Sequence, residues 1–279
     1  MKKVMILIPC LMLENNRQAN HISMEYAKEN YPVDKIVIYD QEFIEEDYKE
    51  GFEYIGYAKK REGFVKPRNE LLKYFYNSDF DFAIWLDANE KVGKACLNDF
   101  LTLIDGIKKG TLDLDVILQT LGITISQERI FAKKRRDFKN VVYCIKMKKG
   151  YEWMHGMIMS NFKKKYGEEV YIDERCDPRK GTSEDIYFVN LLRSLFSVYL
   201  CPTVSIFKPS NTTSTWMNEK KSYDYPDIDY PKIDEYISEN YRKTGKRIGK
   251  FYNEKIVKLE RVEPFKECIK EYKPRRRKK

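Results

Sequence analysis

Three nearly uninterrupted apolar runs, each closed by a polar or turn-forming residue, constrain the fold of this 279-residue chain more than any other feature. Val4 to Pro9, Lys35 to Tyr39 ahead of Asp40, and Asp81 to Leu86 ahead of Asp87-Ala88-Asn89 have the length of strands. They are too continuous for strands with one wet face, so both faces are expected to be buried. Helical spacing fills the gaps: Asn20 to Asn30, stopped by Pro32, and Pro67 to Tyr76, where Leu71, Leu72, Phe75 and Tyr76 recur on one side. Phe52 to Tyr57 reads as a shorter strand, Leu97 to Ile107 as a helix and Val116 to Thr120 as a strand. This alternation predicts an α/β fold with a mainly parallel central sheet and helices on both faces.

The second half changes style. Val141 to Met147 and Val170 to Asp173 read as strands flanking a basic, aromatic segment. Ser183 to Phe196 reads as a helix capped by Thr182 or Ser183, and the apolar run Val198 to Cys201 follows it. Beyond it the apolar rhythm thins into Tyr223 to Tyr241, rich in Tyr, Asp and Pro, and then into the basic run Lys273 to Lys279, expected to be disordered when free. The reading is therefore a domain over residues 1–205, with halves 1–120 and 121–205, and an extension over 206–279 with a basic tail.

Composition narrows the class. At 42% hydrophobic and 14% aromatic residues, the chain can bury a sizeable core. Six scattered cysteines without a C-x-x-C pair, and only two histidines, His21 and His155, exclude zinc-site spacing and suit a reduced, cytoplasmic protein. Met1 to Leu13 imitates a signal peptide, but Pro9 interrupts it and no small-residue cleavage site precedes Glu14 and Arg17, so a buried first strand is expected instead. No stretch approaches the roughly 20 apolar residues of a membrane span. The net charge of +9 is unevenly spread: residues 129–165 carry +10 and residues 240–279 carry +11, leaving −12 on the rest. Two basic zones on an acidic body suit a polyanionic partner met by particular faces, with Lys133, Lys134, Arg135, Arg136 and Arg275, Arg276, Arg277 as the densest contacts. The plainer reading is a solvated hairpin and a solvated tail.

Glycine-rich phosphate loops of the P-loop and dinucleotide-binding kinds are absent. The sequence offers acidic groups at strand ends instead. Asp87 and Asn89, two residues apart after a strand, can point the same way and hold a divalent cation against a diphosphate; equally, they can form the turn that ends the strand. Glu184 and Asp185 open a helix, where the dipole keeps a carboxylate ionised as a general base must be, or where they simply cap it. Asp40 is either a ligand contact at the carboxyl end of its strand or a turn residue.

Taken in order, strand-Pro9, strand-Asp40, Arg68-Asn69 opening a helix, strand-Asp87-Ala88-Asn89 and Glu184-Asp185 opening a helix resemble the landmarks of the GT-A glycosyltransferases. The likeness is strongest to the broad inverting family that reads I-P-x-x-N, V-D-D, A-R-N, D-x-D and E-D, and it spans about residues 1 to 200. It implies that 1–120 is the nucleotide-sugar half and 121–205 the acceptor half. Pro9, Asp40, Arg68, Asn69 and Asp87 would then contact the nucleotide-sugar. Asp87 and Asn89 would hold Mg2+ or Mn2+, although Asn89 replaces the usual second acid, and Asp185 would be the catalytic base. Trp153 and His155, in Trp153-Met154-His155-Gly156, and Glu184 would meet the acceptor, or Trp153 would be core. The chain from Met1 to Cys10 onward also resembles the bacteriophage DNA glucosyltransferases that build on glucose already attached to 5-hydroxymethylcytosine. That resemblance implies UDP-glucose as donor and glucosylated double-stranded DNA as acceptor. A GT-A enzyme acting on a polysaccharide or glycolipid, and a non-catalytic nucleic-acid-binding protein, stay open as alternatives.

Overall fold

The computed structural model describes residues 1–11, 17–41, 44–58, 62–93, 96–121, 141–147, 154–174, 184–207 and 256–261. The strands are β1 (Val4–Leu11), β2 (Lys35–Gln41), β3 (Glu53–Ala58), β4 (Phe82–Trp85), β5 (Lys91–Val92), β6 (Val116–Leu121), β7 (Val141–Lys146), β8 (Ile158–Ser160), β9 (Val198–Phe207) and β10 (Ile256–Glu260). The helices are α1 (Arg17–Asn30), α2 (Val65–Tyr76), α3 (Leu97–Lys108), α4 (Phe162–Tyr166) and α5 (Glu184–Leu195), with a short 3-10 turn at Glu45–Asp47.

The apolar runs form the sheet centre, as their two-sided character requires. The spatial order is β10-β7-β9-β6-β8-β4-β1-β2-β3, with β5 paired to β9. β3, β2, β1 and β4 run parallel, as do β6 and β9, while β8 enters antiparallel between β4 and β6. Because alternate side chains of a strand face opposite ways, Ile6, Ile8, Ile38 and Ile84 pack under α1 and α3, and Met5, Leu7, Val37 and Trp85 under α2 and α5. Helices therefore cover both faces. Val4 to Ile8 lies at 0–2% exposure, and each such side chain contributes about 1.5–3 kcal/mol of burial, so the segment that imitates a leader is the anchor of the sheet.

Two sequence readings need correction. Val170 to Asp173 is not a strand: the Asn69 side chain donates to the Ile172 carbonyl and accepts from its amide, both at 2.9 Å, and the Tyr76 hydroxyl donates to the Val170 carbonyl at 2.9 Å. Side chains of α2 thus satisfy the backbone that a neighbouring strand would have satisfied. Conversely, Ile158–Ser160, within the stretch read only as a basic, aromatic segment, is the central strand β8. The Asn161 side chain then caps α4 by accepting from the Lys164 amide at 3.0 Å, and Gly167 at φ +77° closes the helix. β9 runs on to Phe207, and β10, from the segment beyond residue 205, completes the sheet edge against β7. Arg261 fastens that edge to α3 by donating to both carboxylate oxygens of Asp99 at 2.9 and 3.1 Å. Cys10, Cys96, Cys144 and Cys201 are free thiols in the core. No described helix is long and apolar enough to cross a membrane.

Candidate active site

Parallel strands deliver their last residues to one edge of the sheet, and helices start there with exposed amides, so this edge is where an α/β protein builds a site. Pro9 ends near it on β1, aligned with Tyr39 of β2, and Asp40 follows on β2. Asp87 lies just past β4, while Arg68 sits in the first turns of α2 and Glu184 and Asp185 in the first turn of α5.

Arg68 is the hub. Only 5% exposed, it donates through Nη1 to Glu184 and through Nη2 to Asp87 Oδ1 at 3.3 Å; Nη2 lies 3.7 Å from Asp185 Oδ1. Burial works against its charge, but Asp185, Glu184 and Asp87 together hold the guanidinium above its ordinary pKa. Glu184 is pushed up to about 7 by burial and by the charge of Asp185, with Arg68 opposing. Asp185 Oδ1 is buried with no hydrogen-bond partner.

Beyond β4 the strand period ends and a turn begins. The Glu90 amide donates to the Asp87 carbonyl, and the Asp87 amide donates to Glu90 Oε2, both at 2.9 Å. The turn brings Glu90 back over Asp87, so the acidic partner of Asp87 stands three residues on, at Glu90, rather than two. His155 completes the group. Its Nδ1 contacts Glu90 and lies 3.8 Å from Asp87 Oδ2, and its Nε2 lies 3.9 Å from Asp185 Oδ2. Asp87, Glu90 and His155 each present a ligand atom within 4.8 Å of the others. Two hard carboxylates and one imidazole form a donor set able to hold a divalent cation. Glu90 is the residue that sequence spacing missed; the signal for it was the turn-forming Asp-Ala-Asn that precedes it.

Asp40 forms a second focus. It is fully buried, and neither carboxylate oxygen has a hydrogen-bond partner. Burial, then the charge of Asp47, raise its pKa to about 8, against the weaker pull of Arg17 and the Gln41 amide. Asp47 is itself held by Arg17 and by the Ile44 amide at 3.1 Å, with His21 Nε2 3.5 Å away. Burial thus favours the protonated form of Asp40, which can donate as well as accept.

The structure therefore gathers Arg68, Asp87, His155, Glu184 and Asp185 at one edge, with Pro9 and Asp40 along it. Asn69 faces elsewhere, its amide committed to Ile172. Asn89 is half-buried in the Asp87 turn. Trp153, the cap at Thr182 or Ser183, Lys133 to Arg136 and Arg275 to Arg277 lie outside the described residues.

No protein-family model matches the chain, and no curated protein matches it. Among solved structures it is similar to S. aureus TarS 1-349 in complex with UDP-GlcNAc, at a TM-score of 0.50 and 14% identity, covering 80% of this chain and 62% of that one. S. aureus TarS 1-349 without that ligand gives a TM-score of 0.49 at 16% identity over 75% and 60% of the two chains. The chain spans about three fifths of the length of those structures. At such identity the likeness is one of fold, and with the sheet order it gives the fold as GT-A.

Proposed function

We propose that this chain is a nucleotide-sugar glycosyltransferase, and specifically an inverting enzyme that moves glucose from UDP-glucose onto the α-glucose already attached to 5-hydroxymethylcytosine in DNA. The observation that carries the transferase reading is Asp185: a carboxylate at a helix N-terminus, with one oxygen lacking a hydrogen bond, beside a cation-fitting cluster on a GT-A fold. The binding of UDP-GlcNAc by a structure of similar fold supports the donor class.

Asp185 accepts the proton as an acceptor hydroxyl attacks the anomeric carbon; the new C–O bond forms while the bond to the β-phosphate breaks, and UDP leaves with the electron pair. Attack from the side opposite UDP turns an α-linked donor into a β-linked, gentiobiosyl product. Asp87, Glu90 and His155 would hold Mg2+ or Mn2+, which supplies positive charge for the departing diphosphate. Arg68 holds Glu184 and Asp87 in place and keeps Asp185 beside His155.

The DNA acceptor rests on the charge distribution. Residues 129–165 and 240–279, at +10 and +11, suit phosphate contacts that grip without reading sequence. A substituent on cytosine C5 projects into the major groove, so the acceptor glucose stands clear of the stack and the base need not be flipped. Such a disaccharide would shield phage DNA from restriction. Residues 1–205 would form the catalytic domain and 206–279 its extension.

The test incubates the full chain with UDP-[14C]glucose, Mn2+ and two DNAs, one carrying plain hydroxymethylcytosine and one α-glucosylated, alongside Asp185→Asn. Label in the α-glucosylated DNA alone, reduced at least about a thousandfold in the variant, is the expected result. Release of free glucose with label in neither DNA removes DNA as acceptor and directs the search to glycans. Failure to turn over or bind any UDP-sugar overturns the transferase reading.

A further inference from the structure

His155 faces two groups at once. Its Nδ1 contacts Glu90 and stands 3.8 Å from Asp87 Oδ2, inside the cluster able to hold a cation, while its Nε2 stands 3.9 Å from Oδ2 of Asp185, the proposed base. The buried imidazole is thus the wall shared by the cation cluster and the carboxylate that takes the proton.

The backbone fixes it there. The Gly156 amide donates to the Trp85 carbonyl and the Trp85 amide to the Met157 carbonyl, both at 2.8 Å, so the turn carrying His155 is tied to the end of β4, two residues before Asp87. Gly156 has φ +68°, and a Cβ there would lie 2.6 Å from Ile206 of β9, so only glycine lets the turn lie against that strand. Ile206 in turn pairs with Val92 of β5, the strand that begins directly after Glu90. Strand pairing therefore sets the backbone of all three cation-facing residues.

A neutral imidazole that gives Nδ1 to a cation keeps its hydrogen on Nε2, and metal-bound histidines almost always donate that second N–H to a carboxylate, a carbonyl or water. Here Nε2 meets the carboxylate of Asp185, at a separation about 1 Å longer than a hydrogen bond. The other oxygen, Oδ1, lies 3.7 Å from Arg68 Nη2 and has no hydrogen bond. The geometry points to His155 as a positioning residue that couples the two parts of the site: a cation on Nδ1 fixes the hydrogen on Nε2, the remaining gap closes, and that hydrogen anchors Asp185. The inference rests on the cation-assisted transferase reading above and deepens it. Such coupling is reciprocal, so Asp185 strengthens the hold on the cation by the same factor by which the cation steadies Asp185.

The test measures Mn2+ binding without nucleotide, by electron paramagnetic resonance, in full-length wild type, Asp185→Asn, His155→Ala and the double variant. Asp185→Asn is expected to weaken Mn2+ about tenfold when His155 is present and by less than about twofold when it is absent. The same factor in both backgrounds overturns the inference, because Asp185 then acts on the cation through space by its charge alone. A second measurement does not depend on how much binding His155→Ala retains: nitrogen-15 NMR of histidine-labelled wild type with diamagnetic Zn2+ reads the ring directly, with His21, the only other histidine, as internal reference. Metal on Nδ1 with the hydrogen on Nε2 is expected, and metal on Nε2 overturns the inference. Both overturning results leave the transferase reading intact. If wild type binds neither cation, the inference and the cation site fall together, whereas transfer from UDP-glucose still tests the transferase reading by itself.

Discussion

The two ends of the central sheet use the same acidic residues to opposite purpose. At the end where β1 and β4 begin, each carboxylate has its own ammonium: Lys2 reaches Asp113 at 2.6 Å, Lys164 reaches Asp81 at 2.7 Å, Lys165 reaches Asp115 at 2.8 Å and Lys108 reaches Asp34 at 3.0 Å. Most of these side chains are partly exposed. At the other end Asp87, Glu90, Glu184 and Asp185 crowd around one guanidinium and one imidazole, and all except Asp87 are buried. The first end is balanced by the protein alone. Among the described residues the second gathers four carboxylates around a single guanidinium and a single imidazole, a crowding that costs stability and that a bound cation or protons would relieve. The difference separates charge that keeps a surface soluble from charge that prepares a site.

Removing the hub should break this contrast most severely. Arg68→Met leaves three buried or half-buried carboxylates without their shared partner, and the expected loss is about 3–5 kcal/mol in urea unfolding at pH 8. Protons can replace the missing charge, so the loss should shrink at pH 5, where Glu184, raised toward 7 by burial and by Asp185, takes one up. An equal loss at both pH values would mean that Arg68 acts through packing against Phe64 and its neighbours instead.

Asp40 sharpens the comparison because it is fully buried and the nearest cation, Arg17, is spent on Asp47. Its carboxyl has a folded-state pKa near 8, against about 3.9 in an unfolded chain, so between these values the native state keeps a proton that the unfolded state has released. Stability from this group is complete below about pH 4 and declines as pH rises through 8, at up to about 1.4 kcal/mol per pH unit. Asp40→Asn removes the titration. Without nucleotide, its stability relative to wild type should therefore climb from pH 5 to pH 8 and level off above. A flat difference across that range would show that Asp40 is ionised and partnered in solution.

How much of this was legible in the sequence depended on how local each cause was. Val4 to Pro9 and Lys35 to Tyr39 declared themselves because a strand buried on both faces must be apolar throughout. Ile158-Met159-Ser160 did not, since three residues carry no period, and their place at the sheet centre follows from pairing with β4 and β6. Val170 to Asp173 has the composition of a strand but takes its hydrogen bonds from Asn69 and Tyr76, a tertiary fact that no window of sequence contains. In the site, Asp40, Asp87 and Asp185 stood at element boundaries where local reading could find them, and Arg68 was named only through the family resemblance. Glu90 owes its place to a turn, so it surfaced only with the fold.

The smallest effect belongs to the balanced end. Lys164 is about half exposed; its ammonium reaches Asp81 Oδ1 at 2.7 Å and donates to the Asp79 carbonyl at 2.8 Å. Asp81 is independently held by the Lys3 amide at 2.8 Å, so Lys164→Met leaves no carboxylate stranded. The expected cost is below about 1 kcal/mol in urea unfolding. Lys165 marks the boundary of that rule: its partner Asp115 is fully buried, with Tyr166 donating to it at 2.7 Å, so Lys165→Met should cost more than Lys164→Met. If the two substitutions cost the same, burial is not what divides one end of the sheet from the other, and the contrast must be sought in the number of charges rather than in their solvation.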